Sequence, residues 1–219
     1  MIRFWLRLFF VLAWLGFWEP AVARKTRFKP TPPKPKKSEA EKAIEKLAPA
    51  QNINIDQMSG KWYLLTVASR CQNLLESGFK VESTTATWTV TGAKVSVSTV
   101  RKLNFECWEI KQNYMRTKTP GQLFLKGKRP AENVDIMVLE TDYSSYAMVV
   151  FKRAGKITMK LYGRSSEVPD NIVDKFEDRA KAFNLGLDVI FQYPDYGFCE
   201  STEKVLGKSW SRLFVLTLA

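Results

Sequence analysis

Residues 58–71 of the chain read Met-Ser-Gly-Lys-Trp-Tyr-Leu-Leu-Thr-Val-Ala-Ser-Arg-Cys. A polar turn ending in Gly60 leads into strand-forming residues. Period-two geometry puts Trp62, Leu64, Thr66 and Ala68 on one face and Tyr63, Leu65, Val67 and Ser69 on the other. Neither face is plainly polar. That suits the first strand of a closed barrel, whose inner face fills a cavity and whose outer face is covered by other elements, better than an open sheet with one wet side.

Short β runs then recur at intervals of about ten residues: Thr84–Val90, Val95–Arg101, Cys107–Tyr114, Gln122–Lys126, Val134–Glu140, Tyr146–Lys152 and Lys156–Tyr162. With the first strand they make eight. The connections carry turn residues at Thr91-Gly92, Pro120-Gly121, Arg129-Pro130 and Ala154-Gly155, which predicts an antiparallel up-and-down meander closed into a barrel. After Arg164, Pro169-Asp170 opens a helical stretch with Ile172, Val173, Phe176, Ala180 and Phe183 on one face, ended by Asn184-Leu185-Gly186. Its polar face mixes acids and bases without net basicity, which favours packing on the barrel wall over a membrane surface.

Trp62 is large enough to plug the narrow end of such a barrel. Arg164, arriving at the same end, can lay its guanidinium over the indole, a contact worth about 0.5–2 kcal/mol when shielded from water. Asp142 lies in a turn between two apolar runs, where a carboxylate can accept backbone N–H bonds. Gly60-x-Trp62, then Thr141-Asp142-Tyr143, then Arg164 before a helix resemble the three signature segments of the lipocalins, over roughly residues 55–200. The resemblance implies an all-β fold: an eight-stranded antiparallel up-and-down β-barrel, or calyx, with one C-terminal α-helix packed on the barrel.

The formal charge of +12 resembles a nucleic-acid or membrane signal until it is located. Residues 24–37 hold seven Lys or Arg and no acid, so the basicity lies mostly in a tail. The chain has no histidine, which removes Ser-His and Cys-His catalysis and most zinc sites. No metal or other cofactor is expected.

Residues 1–23 have early arginines, an apolar run and Ala21-Val22-Ala23, and read as a secretory signal peptide, the alternative being an uncleaved anchor. Residues 24–50 form a basic Pro/Lys-rich arm with a short helix over Ser38–Leu47, serving either as a spacer or as a contact with an acidic partner or lipid head groups. Residues 51–204 are the barrel domain and residues 205–219 an atypical apolar-ended tail. Passage through the secretory pathway sets an oxidising compartment and a secreted, extracellular destination.

Three cysteines in such a chain leave one over, which suggests pairing with another chain or a reactive thiol. Joining Cys107 to Cys199 would staple the C-terminal segment onto the barrel, and lipocalins commonly carry a bridge of this type. Cys71 sits just after the first strand, in a connection that crosses the open mouth in a lipocalin.

The segments Ala68–Cys71, Leu74–Gly78, Val97–Leu103, Cys107-Trp108, Glu140–Ala147, Met159–Tyr162 and Tyr193–Glu200 carry a closer resemblance, to the family of complement component eight gamma chains. In that family the cysteine matching Cys71 is linked to the alpha chain, and the pair matching Cys107 and Cys199 is internal. The resemblance implies a non-pore-forming plasma subunit that assembles with alpha and beta chains and joins the membrane attack complex. It does not extend to residues 205–219.

Three functions follow as alternatives. The first is an interaction subunit bound covalently to a larger partner, the second a free secreted carrier of a small lipophilic ligand. The third is an enzyme using Cys71 as a nucleophile, which lacks a histidine to activate it. The cavity lining is expected to include Trp108, Ile110, Phe124, Leu139, Val149 and Tyr162, and to hold either a small hydrophobic ligand or a partner peptide. No nucleic-acid binding and no direct membrane insertion are expected.

Overall fold

Strand β1 (Gly60–Ser69) is the hub of the sheet. Along one edge it pairs with β8 (Lys156–Gly163). Along the other it pairs with β2 (Thr84–Thr91) over Gly60–Tyr63, and further on with β9 (Ile190–Gln192) over Thr66–Ala68. The computed structural model describes residues 53–103, 105–200 and 204–205. The expected leader, the basic arm with its Ser38–Leu47 helix, and residues 206–219 of the tail lie outside them.

The remaining strands run in sequence: β3 (Lys94–Leu103), β4 (Glu106–Arg116), β5 (Gln122–Leu125), β6 (Val134–Thr141) and β7 (Tyr146–Arg153). Every neighbour pair from β1 to β8 is antiparallel, and pairing of β4 with β5 and of β8 with β1 closes the barrel. A two-residue strand β10 (Lys204–Val205) adds to β4 in parallel. A closed sheet leaves no unpaired barrel edge, and the up-and-down order needs only short turns.

Two apolar layers result. The inner one holds Trp62, Leu64, Val67, Trp88, Tyr114, Val149 and Tyr162 among others. The outer one lies between the sheet and α2 (Asp170–Ala182), where Phe176, Ala180 and Phe183 meet Met148, Val150, Met159 and Leu161. Each fully buried large side chain contributes about 1.5–3 kcal/mol, so this second core fixes α2 on the barrel wall. Glu140 ties the helix further, accepting from Tyr146 Oη at 2.5 Å and pairing with Lys175 and Arg179. The helix ends as its sequence requires: Asn184 takes a φ of 60°, and Leu185 N donates back to Ala180 O at 3.0 Å.

The strict alternation expected along β1 is corrected. The register against β8 slips between Leu64 and Thr66, a β-bulge after which Thr66 joins Leu65 on the helix side, opposite Leu161. Beyond it the faces exchange: Val67 packs inside with Trp62 and Leu64, while Ala68 lies under the helix. A matching slip on β6 between Val138 and Glu140 puts Glu140 beside the outward Leu139 on the helix side, opposite Met148. The two bulged leucines thus feed the core under α2 from both sides, which is why neither strand shows a polar face.

Candidate functional site

The closed end of the barrel is built from the three signature segments. Trp62 has no solvent exposure, and its Nε1 donates to Met58 O at 2.8 Å. The Arg164 guanidinium carbon lies 3.7 Å from the indole centroid. That guanidinium donates to four carbonyls: Tyr143 O (3.0 Å), Lys61 O (3.1 Å), Gln57 O (3.2 Å) and Ser59 O (2.9 Å). One planar fork therefore joins the chain before β1 to the β6–β7 turn. Gly60 has a φ of 107°, and a Cβ there would stand 2.8 Å from Arg164 Nη1, so the position excludes a side chain twice over.

In the β6–β7 turn, Asp142 Oδ1 accepts from the backbone N–H of Ser144 (3.1 Å), Ser145 (2.8 Å) and Tyr146 (3.0 Å). Burial pushes this carboxyl up, but the hydrogen bonds from Ser145, Tyr146 and Ser144 outweigh it and hold the group below its ordinary value. Thr141 Oγ1 donates to Tyr146 O at 2.6 Å and accepts from Tyr143 N at 2.9 Å. Tyr143, at a φ of 64°, accepts from Asn54 N through its hydroxyl. All six signature residues thus converge on one end of the barrel as scaffold, remote from the opening.

The interior is narrow. Trp88, Val97, Thr99, Gln112, Tyr114, Leu125, Val134, Phe151, Lys160 and Tyr162 surround a space of only about 20 Å³, room for about one water. Lys160 is almost wholly buried, with its ammonium 4.3 Å from the Phe151 ring centroid. Burial, and then the nearby Arg101, bring its amine down from 10.5 to about 7, while Cys71 acts in the opposite sense. Arg101 is itself buried, near Tyr193 and Glu82, and is lowered by desolvation.

At the opposite end, Cys71 ends the stretch that begins the barrel. It is half-buried, packs against the inner core, and is the one cysteine among the described residues that lies outside the disulfide. Its N–H donates to Ser69 Oγ at 3.1 Å, and its carbonyl accepts from Leu74 N and Leu75 N, starting the short helix α1 (Gln72–Ser77). Leu74 on α1 is buried in the inner core, so the connection after β1 is a helical cover rather than an open loop. Gly78 follows, and a Cβ there would lie 2.3 Å from the Phe191 ring, so its bareness lets β9 close in.

Beside Cys71 lies a groove of about 200 Å³ lined by Ser69, Ala131, Arg153, Ala154, Lys156 and Thr158. Cys107 and Cys199 are joined in a disulfide, which closes 92 residues of chain. In the chain-entropy model that is worth about 4–5 kcal/mol. The segment it fastens is also held by Ser83 Oγ donating to Gly197 O (2.8 Å), and by Phe198 set edge-on to Tyr63 at 4.8 Å.

Of the expected cavity residues, Val149 and Tyr162 lie in the inner core. Ile110 is buried opposite the cavity-lining Thr99. Trp108 is half-buried opposite Arg101, at the mouth. Two assignments are corrected. Phe124 alternates with Leu123 and Leu125, which are the inward residues of β5, and Leu139 alternates with the inward Val134, Ile136 and Val138 and so lies on the helix-side core. The sequence reading passed over Lys160, although it sits two residues from Tyr162 on the same strand and so on the same face.

A family model described as the lipocalin / cytosolic fatty-acid binding protein family matches residues 59–196. The complement component C8 gamma chain of Oryctolagus cuniculus is 38% identical over 165 residues, covering 75% of this chain and 82% of that one. Protein AMBP of Bos taurus is 26% identical over 163 residues, covering 70% of this chain but 46% of the longer relative. Among solved structures, the one titled as the siderocalin Ex-FABP that functions through dual ligand specificities superposes with a TM-score of 0.59. It is 24% identical and covers 69% of this chain and 99% of its own, a likeness of fold.

Proposed function

The chain belongs to the lipocalin family, and we propose that it is a secreted plasma subunit of complement component eight, joined through Cys71 to the alpha chain. In this reading it travels with the alpha and beta chains into the membrane attack complex without forming the pore. It acts by binding, not by catalysis.

The observation that carries the reading is the state of the cysteines. Cys107 and Cys199 are joined to each other, whereas Cys71 lies outside that disulfide, partly accessible and set at the mouth beside a groove. The similarity to a gamma chain of complement component C8 supports the choice of partner in this reading.

The free-carrier alternative is weakened by volume. Small-molecule pockets are commonly about 300–1,000 Å³, and the interior here offers about 20 Å³ under a helix whose Leu74 is buried in the inner core. A lipophilic ligand of that size needs α1 displaced, whereas a partner segment can lie in the outer groove with the cover closed.

In non-reducing electrophoresis after co-expression with the alpha chain, the wild-type protein is expected to run as a heavier species that reduction dissolves. Cys71→Ser gives only the single chain, with unchanged circular dichroism and melting. Misfolding of Cys71→Ser, or mass-spectrometric mapping of Cys71 to Cys107 or Cys199, overturns the assignment. Because a segment tethered at Cys71 sits at an effective concentration in the millimolar range, the contact itself needs only modest affinity. Cys71→Ser is therefore still expected to bind the alpha chain noncovalently in a titration up to tens of micromolar.

A further inference from the structure

We infer that the groove beside Cys71 receives an acidic segment, with a carboxylate next to the partner's cysteine lodged between Arg153 and Lys156. The inference rests on the covalent reading above and specifies the chemistry of what is tethered.

Three observations carry it. Arg153 and Lys156 are direct cross-strand partners at the end of the β7–β8 hairpin, both lining the groove. Like charges facing one another across a strand pair destabilise it, and an anion held between them removes the repulsion. Arg153 Nη1 is moreover buried and has no hydrogen-bond partner among the described residues. Such a donor carries a desolvation penalty that a carboxylate oxygen offsets with a charge-assisted bond.

The third observation is the sign of what lies around and below. No acid lines the groove. Its floor is the Ser69–Thr158 hydroxyl pair, 2.8 Å apart, and the next inward residue on the same face of β8 is Lys160, with Arg101 close by. The groove is positive at its rim, with Arg153 and Lys156 unopposed by any acid among its lining residues.

Residues 24–37 of the chain carry seven bases and no acid, and beyond Glu200 the tail has Lys204, Lys208 and Arg212 against Glu203, so neither suits the site. Residues 38–50 hold Glu39, Glu41 and Glu45 against Lys42 and Lys46, but none of these glutamates neighbours a cysteine. On the covalent reading the occupant is the partner segment joined at Cys71.

The test uses the full mature protein with Cys71 reduced and the internal disulfide intact. It is reacted with short cysteine peptides activated as mixed disulfides with thiopyridine. The Cys71 thiolate attacks the peptide sulfur, the peptide–thiopyridyl bond breaks, and the thiopyridone released is read by its absorbance. Peptides with Glu, Gln or Lys flanking the cysteine are compared, each rate being divided by its rate with N-acetylcysteine.

The acidic peptide is expected to react about tenfold faster than the neutral one at low salt, and the basic peptide slower than both, since charge complementarity acts on association rates. Molar salt brings the acidic and neutral rates within about twofold. The double change Arg153→Gln and Lys156→Gln, checked for native circular dichroism, removes the preference without salt. Equal normalised rates for the three peptides in the wild-type protein overturn the acidic-segment inference and leave the covalent reading standing. If Cys71 reacts with none of them folded, yet reacts when unfolded, the covalent reading falls and this inference with it.

Discussion

Trp62→Ala is expected to lower the free energy of unfolding by about 3–5 kcal/mol, the range for deleting a fully buried large aromatic side chain. The side chain has no exposed surface, stands in the inner core opposite Ala86, and fills the end of the barrel at which Arg164 closes over it. Arg164, fixed by four carbonyls, and Gly60, with no side chain, are poorly placed to collapse into the space. Arg164→Ala is expected to cost less, about 1–2 kcal/mol, because the rim is partly open and water can replace some of the lost donors. The double variant loses less than the sum, since both changes remove one shared contact. Urea unfolding of the four proteins checks this; strictly additive losses would show that the stacking contributes nothing to stability.

The barrel and its closed end were legible because their signals are local. Period-two runs, turn residues at each connection and a tryptophan, an aspartate and an arginine at strand ends all act over a few residues, and the structure uses them where the pattern puts them. Legibility stopped where one residue is inserted. The bulges at Leu65 and Leu139 exchange inner and outer faces with no change in composition, so a strand that is apolar on both sides hides them.

The mouth was harder to read for a different reason. Gln72–Ser77 is a helix of six residues whose only buried side chain is Leu74, too short to show a helical period. The groove cations come from a hairpin, and the residues facing them come from β1 and from the β5–β6 connection. Their juxtaposition exists only once the barrel is closed. Lys160 was readable by alternation from Tyr162, but a lysine in an otherwise apolar strand is ordinarily placed on the wet face.

Lys160→Met is expected to give the second large effect, a gain in stability that depends on pH. Burial, with Arg101 adding to it, brings the amine from 10.5 down to about 7 in the folded chain. A displacement of that size corresponds to about 4–5 kcal/mol favouring the neutral over the charged amine inside the fold. Below pH 7 the folded and unfolded chains both hold the proton, so the wild-type protein bears the whole penalty.

Between pH 7 and 10.5 the unfolded chain binds a proton that the folded chain has released, so wild-type stability rises with pH. Above 10.5 the penalty has vanished. Methionine fills nearly the same volume beside Phe151 and has no proton to lose, so its stability lacks that slope. The variant should therefore be the more stable protein at pH 6, by about 2–4 kcal/mol once the lost ammonium–ring attraction is subtracted. The difference should shrink steadily toward pH 10. Denaturant titrations at pH 6, 8 and 9.5 decide it: stability curves for the two proteins that run parallel across that range would mean that the ammonium is solvated and keeps its proton in the folded chain.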